Sequence, residues 1–193
     1  MRDPWCVELV RIGAVLPVML RVLREDLAGA LAHPVWIAPE NVDPAPAFDP
    51  GRQQYLVSAL METLLSKPRE SGVFIIGVTD VDLFLPVFTH VFGTAQLGGP
   101  VGVASEFRLR PEHSGDPSDA GLLRRRLLKE VLHELGHTLG LVHCKASWCA
   151  MSPSRLPEQI DLKDAAFCPA CAEHTGVPDD SLVSIKRWEG ERE

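Results

Sequence analysis

Basic side chains are in short supply: 19 Lys and Arg stand against 26 Asp and Glu, a formal net charge of −7 at neutral pH. Non-specific binding to nucleic acid needs a cationic surface that displaces counterions from phosphate, so no nucleic-acid partner is expected. Long apolar runs are also missing, and no stretch approaches the ~20 residues that span a bilayer. The short apolar run over 12–20 is preceded by Glu8 and Arg11 and followed by Arg21, Arg24, Glu25 and Asp26. That order does not match a secretory signal. The chain is therefore expected in the cytoplasm, with no membrane partner. Internal repeats are absent, and the glycines within 96–100 lack the pattern of a phosphate loop. With 46% hydrophobic residues, a chain of 193 can bury one sizeable core, which excludes two large domains.

Periodicity outlines an α/β (α+β) chain. A first strand is predicted over 5–12, which partly alternates apolar and polar. A helix follows from Pro17, with Leu20, Leu23, Leu27 and Leu31 at helical spacing. The pattern continues with a short strand over 35–38, a proline-rich surface loop to 50, and a helix over 53–65. The nearly continuous apolar run over 72–79 predicts a central strand covered on both faces. Asp80 and Asp82 close it, as turn formers. An edge strand is expected over 86–93, where Pro86 would be tolerated, and a last strand over 101–109. His90 within that edge strand is read as an ordinary strand histidine. A polar loop then leads to a helix capped by Ser118 or Asp119. The predicted fold is a mixed sheet of about five strands with two backing helices and an active-site helix. Residues 1–140 form that subdomain, and 141–193 a small C-terminal one. A charged terminal helix is expected over 179–193, with Leu182, Ile185 and Trp188 on one side.

The chemistry concentrates in one stretch, Val131-Leu132-His133-Glu134-Leu135-Gly136-His137-Thr138-Leu139-Gly140-Leu141-Val142-His143-Cys144. On a helix, His133 and His137 lie about 6 Å apart along the axis and about 40° round it, so both imidazoles can reach one ion. A continuing helix would carry His143 about 15 Å from His133, outside any shared coordination sphere. The helix must therefore stop, and Gly140 is the residue suited to stop it, because glycine accepts the positive-φ conformation that ends helices. Three imidazoles leave one tetrahedral position of Zn²⁺ open, the arrangement of a catalytic site. Glu134 projects about 100° from His133, beside the metal, where it can act as a general base towards water. Peptide hydrolysis is the reaction such a set suits.

The five cysteines are unevenly distributed. Cys6 stands alone and reads as a small buried residue. Cys144 and Cys149, then Cys168 and Cys171, form two knuckles that can hold a structural Zn²⁺ in a Cys₄ site. Two disulfides are the alternative, which a reducing cytosol disfavours. His174, near them, reads as a surface residue.

The sequence Arg126-Leu127-Leu128-Lys129-Glu130 leads into the helix. Cys144 follows His143 directly, and Cys149-Ala150-Met151 and Cys168-Pro169-Ala170-Cys171 come after it. Together these make the 126–171 stretch resemble the archaemetzincins, zinc metallopeptidases of the metzincin clan. The resemblance implies a catalytic zinc on His133, His137 and His143, with Glu134 as general base. It also implies Met151 in the turn beneath the metal and a second zinc on the four cysteines. The activity it implies is aminopeptidase-like or limited endopeptidase cleavage. The 86–93 strand would pair with an extended substrate. The expected partner is a peptide or protein substrate, acted on by a monomer. The alternative function is a non-catalytic interaction module stabilised by the Cys₄ zinc, with a vestigial or metal-regulated histidine site.

Overall fold

A computed structural model describes residues 5–68 and 70–177 of the chain. The terminal helix expected over 179–193 lies outside those residues. The strands are β1 (Cys6–Ile12), β2 (Val35–Val42), β3 (Phe48–Asp49), β4 (Gln54–Leu56), β5 (Val73–Thr79), β6 (Leu83–Phe84), β7 (Gly93–Ala95) and β8 (Val101–Ser105). The helices are α1 (Pro17–Leu31), α2 (Val57–Leu65), α3 (Ala120–Thr138), α4 (Pro157–Asp161) and α5 (Pro169–Thr175).

The main sheet has five strands in the order β2-β1-β5-β8-β7. Its first four strands run parallel, and β7 is an antiparallel edge pairing Gly93 with Ala104 and Ala95 with Gly102. Parallel strands joined by helical crossovers are covered on both faces, and the burial shows this directly. Leu9, Ile76, Val78 and Ala104 pack with α1 and α3 on one face. Val10, Ile12, Ile75, Val101 and Val103 pack with α2 on the other. The apolar stripe of α1, formed by Leu20, Leu23, Leu27 and Leu31, is fully buried, as its spacing requires. Leu141, Cys149, Ala150, Met151, Ile160 and Phe167, all beyond α3, belong to the same buried cluster as α1 and α3. The segment that carries the third histidine is therefore built onto the main core.

Three elements differ from the sequence reading. The second strand runs on through Pro39 to Val42, because β2 lies at the sheet edge, where a missing N–H costs no ladder bond. The helix expected from 53 starts at Val57, since Gln54, Tyr55 and Leu56 pair with β3 and β6 in a second, three-stranded sheet. The edge strand expected over 86–93 begins only at Gly93. Phe88 N–H donates to the Leu85 carbonyl at 2.9 Å, closing a turn after Pro86. Arg52 donates to the Phe88 carbonyl at 2.8 Å, and Gln54 to the Thr89 carbonyl at 3.0 Å. The carbonyls of Phe88 and Thr89 thus go to side chains, and pairing resumes only at a single antiparallel bridge, where Val91 N–H donates to the Leu83 carbonyl at 3.0 Å.

Asp82, expected only to form a turn, receives two bonds from Arg108 at 2.6 and 2.7 Å and one from Gln54 at 3.0 Å. Asp80 instead reaches the turn after β1, accepting the Ala14 N–H at 2.8 Å. Cys6 is only half-buried, with its thiol facing the Gly72 carbonyl at 3.6 Å. No helix among the described residues is long and apolar enough to cross a membrane.

Candidate metal centre

The helix α3 starts where Asp119 accepts the Leu122 N–H at 2.9 Å, so of the two expected caps Asp119 serves. From Val131 to Gly136 the helix is buried all round, because this part lies between the sheet and the C-terminal segment. Helical residues end at Thr138, and Gly140 takes a φ of +91°. The Leu141 N–H then reaches back to the Gly136 carbonyl at 2.9 Å. This left-handed turn folds the chain back and brings His143 to the two helical histidines.

The three rings converge. The ring centroids of His143 lie 5.2 Å from His133 and 5.1 Å from His137, and one nitrogen from each ring falls within 4.8 Å of the others. Nδ1 of His133 bonds to the Ala150 carbonyl at 2.8 Å, and Nδ1 of His137 to the Leu141 carbonyl at 2.8 Å. A carbonyl can only accept, so both Nδ1 atoms carry the proton and both Nε2 atoms present lone pairs. These two lone pairs face each other at 3.2 Å. Two tetrahedral zinc ligands with bonds of about 2.05 Å stand about 3.3 Å apart. The set therefore fits a Zn²⁺ ion, and an added cation removes what is otherwise a repulsion. Burial lowers the pKa of all three imidazoles, that of His133 to about 3, which keeps them neutral as ligands.

The four cysteines also meet, with their sulfurs within 4.8 Å of one another. Cys144 Sγ and Cys168 Sγ lie 3.7 Å apart. That is far beyond a disulfide bond of about 2.05 Å and close to the ~3.75 Å between two thiolates on one tetrahedral zinc. The Cys149 sulfur accepts the Cys168 N–H at 3.3 Å. Cys144 N–H donates to the Met151 carbonyl at 2.9 Å, which ties the cysteine cluster to the methionine turn and to the neighbouring His143. His90 packs edge-on against Phe92, and His174 is exposed; neither joins a cluster.

Met151 is fully buried against the helix at Gly136. A Cβ at Gly136 would overlap the Met151 sulfur, so a glycine is required where the helix crosses the methionine. Gly136→Ala should cost about 1–3 kcal/mol through overpacking, despite alanine's better helix propensity. Thermal melts would register the loss; a more stable variant would show that the methionine turn yields freely.

Glu134 is 3% exposed, and its Oε2 has no hydrogen-bond partner. A Cβ on Gly93 would stand 2.7 Å from Oε1, which places the carboxyl against the edge strand β7. One helical turn earlier, Glu130 is buried beside it, a neighbour that sequence reading missed although i, i+4 spacing makes it visible. Burial and then the Glu130 carboxyl raise Glu134 far above the ordinary carboxylate range, and burial pushes Glu130 up to about 7. In the metal-free protein the folded state therefore binds a proton at Glu130 that the unfolded chain releases above about 4.5. The resulting penalty grows as pH rises from about 4.5 to 7. Glu130→Gln should remove it, so the stability gained by the variant over wild type should increase by a few kcal/mol across that window. Denaturant titrations at pH 5 and pH 8 would measure it; a gain independent of pH would count against this origin.

Residues 42–176 match the sequence model of peptidase family M54. The chain belongs to that family, the archaemetzincins. An archaemetzincin of Methanocaldococcus jannaschii is 35% identical over 160 residues, covering 83% of this chain and 87% of that one. The archaemetzincin of Haloarcula marismortui is 35% identical over 168 residues, 86% of this chain and 96% of that one. Among solved structures, a zinc-dependent peptidase from Methanocorpusculum labreanum superposes with a TM-score of 0.80 at 29% identity, covering 88% of this chain and 99% of that one. The archaemetzincin of Methanopyrus kandleri gives 0.76 at 31% identity, covering 93% and 96%. Membership makes the chain a zinc metallopeptidase. The archaemetzincin family match covers the three histidines, Glu134 and all four clustered cysteines.

Proposed function

We propose that this archaemetzincin hydrolyses peptides at a zinc held by His133, His137 and His143, with Glu134 as general base. A second zinc on Cys144, Cys149, Cys168 and Cys171 is structural. The observation that carries the proposal is the pair of Nε2 lone pairs 3.2 Å apart, each fixed by a carbonyl behind its ring, with a buried carboxyl on the adjacent residue whose Oε2 has no partner. A zinc ion at that point would polarise the scissile carbonyl and acidify water.

The chain's own residues do the rest. Glu134, buried beside His133 with no partner on its Oε2, is available to take a proton from water and return it to the leaving amine. The Ala150 and Leu141 carbonyls hold two rings in one tautomer and orientation, which preserves the donor set through turnover. Among the described residues the edge strand β7 pairs only with β8, which leaves its outer side for an extended peptide laid beside Glu134. That role moves from the 86–93 segment to Gly93–Ala95. The substrates are peptides or proteins in the cytoplasm, cut by aminopeptidase-like or limited endoproteolytic action of a single chain.

Elemental analysis with a peptide-substrate screen tests this. Near two zinc atoms per chain together with hydrolysis is the expected result. Two filled sites with no turnover of any peptide or aminoacyl substrate would favour an interaction module instead.

A further inference from the structure

Lys163 belongs to no motif, yet its side chain is buried at 3% exposure. Its ammonium donates to the Ala150 carbonyl at 3.4 Å, the oxygen that also accepts Nδ1–H of His133 at 2.8 Å. Its charge acts on Glu130, Glu134 and Cys149. Arg126, the other buried basic side chain among the described residues, is committed to Asp161 and the Leu109 carbonyl. Burying an ammonium costs several kcal/mol, and a well-packed apolar residue would serve a purely structural position at least as well.

The backbone nevertheless holds Lys163 in place. Its N–H donates to the Ile160 carbonyl at 3.1 Å, and the Asp164 N–H donates to the Trp148 carbonyl at 2.7 Å. Lys129 clamps the same bend from α3 through the Ile160 and Asp161 carbonyls. The amine is thereby fixed at the carbonyl that orients His133. Ala150 itself lies between Cys149 and Met151, so this contact also joins the two metal clusters.

We propose that Lys163 is a positioning residue of the histidine site: its ammonium holds the Ala150 carbonyl where His133 needs it. This rests on the reading of the site given above, with His133 as a ligand. Outer contacts to metal-ligating histidines typically carry 10–100-fold in affinity or activity.

The test compares wild-type, Lys163→Met and Lys163→Arg proteins reloaded with Co²⁺, whose bands at the cysteine site carry thiolate charge transfer and those at the histidine site do not. Lys163→Met should keep the cysteine-site spectrum, weaken Co²⁺ at the histidine site by roughly 10–100-fold and lower kcat with KM little changed. Lys163→Arg should recover most of both. Unchanged histidine-site affinity in Lys163→Met, or equal losses in the Met and Arg variants, would overturn the proposal. A second measurement does not depend on how the variants fold. In wild-type protein with the cysteine site already filled, the Lys163 side-chain ¹⁵N resonance should shift when zinc enters the histidine site, and an unmoved resonance also overturns it. Wild-type protein that takes no Co²⁺ at the histidines would overturn the reading of the site itself, and this proposal with it. Normal uptake by both wild type and Lys163→Met would overturn this proposal alone.

Discussion

Replacing Glu134 with alanine is expected to lower peptide turnover by about 10²–10⁴-fold while the zinc content stays at the wild-type value. The two expectations separate because Glu134 lies beside the imidazoles without contributing to their support. His133 is held by the Ala150 carbonyl and His137 by the Leu141 carbonyl, and neither bond involves the glutamate. Glu134→Gln keeps the shape and removes the basic oxygen, so it should be nearly as inactive, which distinguishes lost proton transfer from a cavity. Both variants should be more stable than wild type in the metal-free form, because each removes a buried carboxyl that Glu130 repels. Steady-state kinetics, metal analysis and melting curves on the same preparations would check all of this. Turnover within tenfold of wild type in either variant would end the case for Glu134 as the base.

The second large effect is expected at the cysteines. Cys168→Ser should release one metal per chain and lower the melting temperature by about 10–20 °C. A structural zinc supplies folding free energy directly, and a loss of about 5 kcal/mol corresponds to that interval in a chain of this size. The damage should reach the catalytic site. Cys144 is covalently next to His143, and its N–H bonds to the Met151 carbonyl at 2.9 Å, so a loosened cysteine cluster releases both the third histidine and the methionine turn. Activity should therefore fall with the structural metal. Alkylation of the denatured wild-type protein should find all the cysteines free, consistent with a Cys144–Cys168 sulfur separation of 3.7 Å. A Cys168→Ser protein that keeps its melting temperature and activity would show that the cluster is dispensable.

Sequence reading succeeded where one local rule decides. Period 3.6 located α1 and the buried face it presents, and the continuous apolar run located β5 between two layers. Spacing of the histidines required a chain reversal, and Gly140 at +91° supplies it. It failed where distant partners compete for the same backbone. The 86–93 segment reads as a strand, but Arg52 and Gln54 take its carbonyls from more than thirty positions away. Gln54–Leu56 reads as helix, yet the ladders to β3 and β6 outweigh its propensity.

The sequence by itself determined which side chains can bind metal and which can move a proton, because donor chemistry and helical offset are local properties of the 133–143 stretch. Only the tertiary structure decided what orients and tunes them: the carbonyls of Ala150 and Leu141, the glycine under Met151, the Glu130 carboxyl and the Lys163 ammonium. Most of those contacts arise from packing between the active helix and a segment that returns to it after the turn. Burial, which sets the proton affinities, does not exist until that packing is complete.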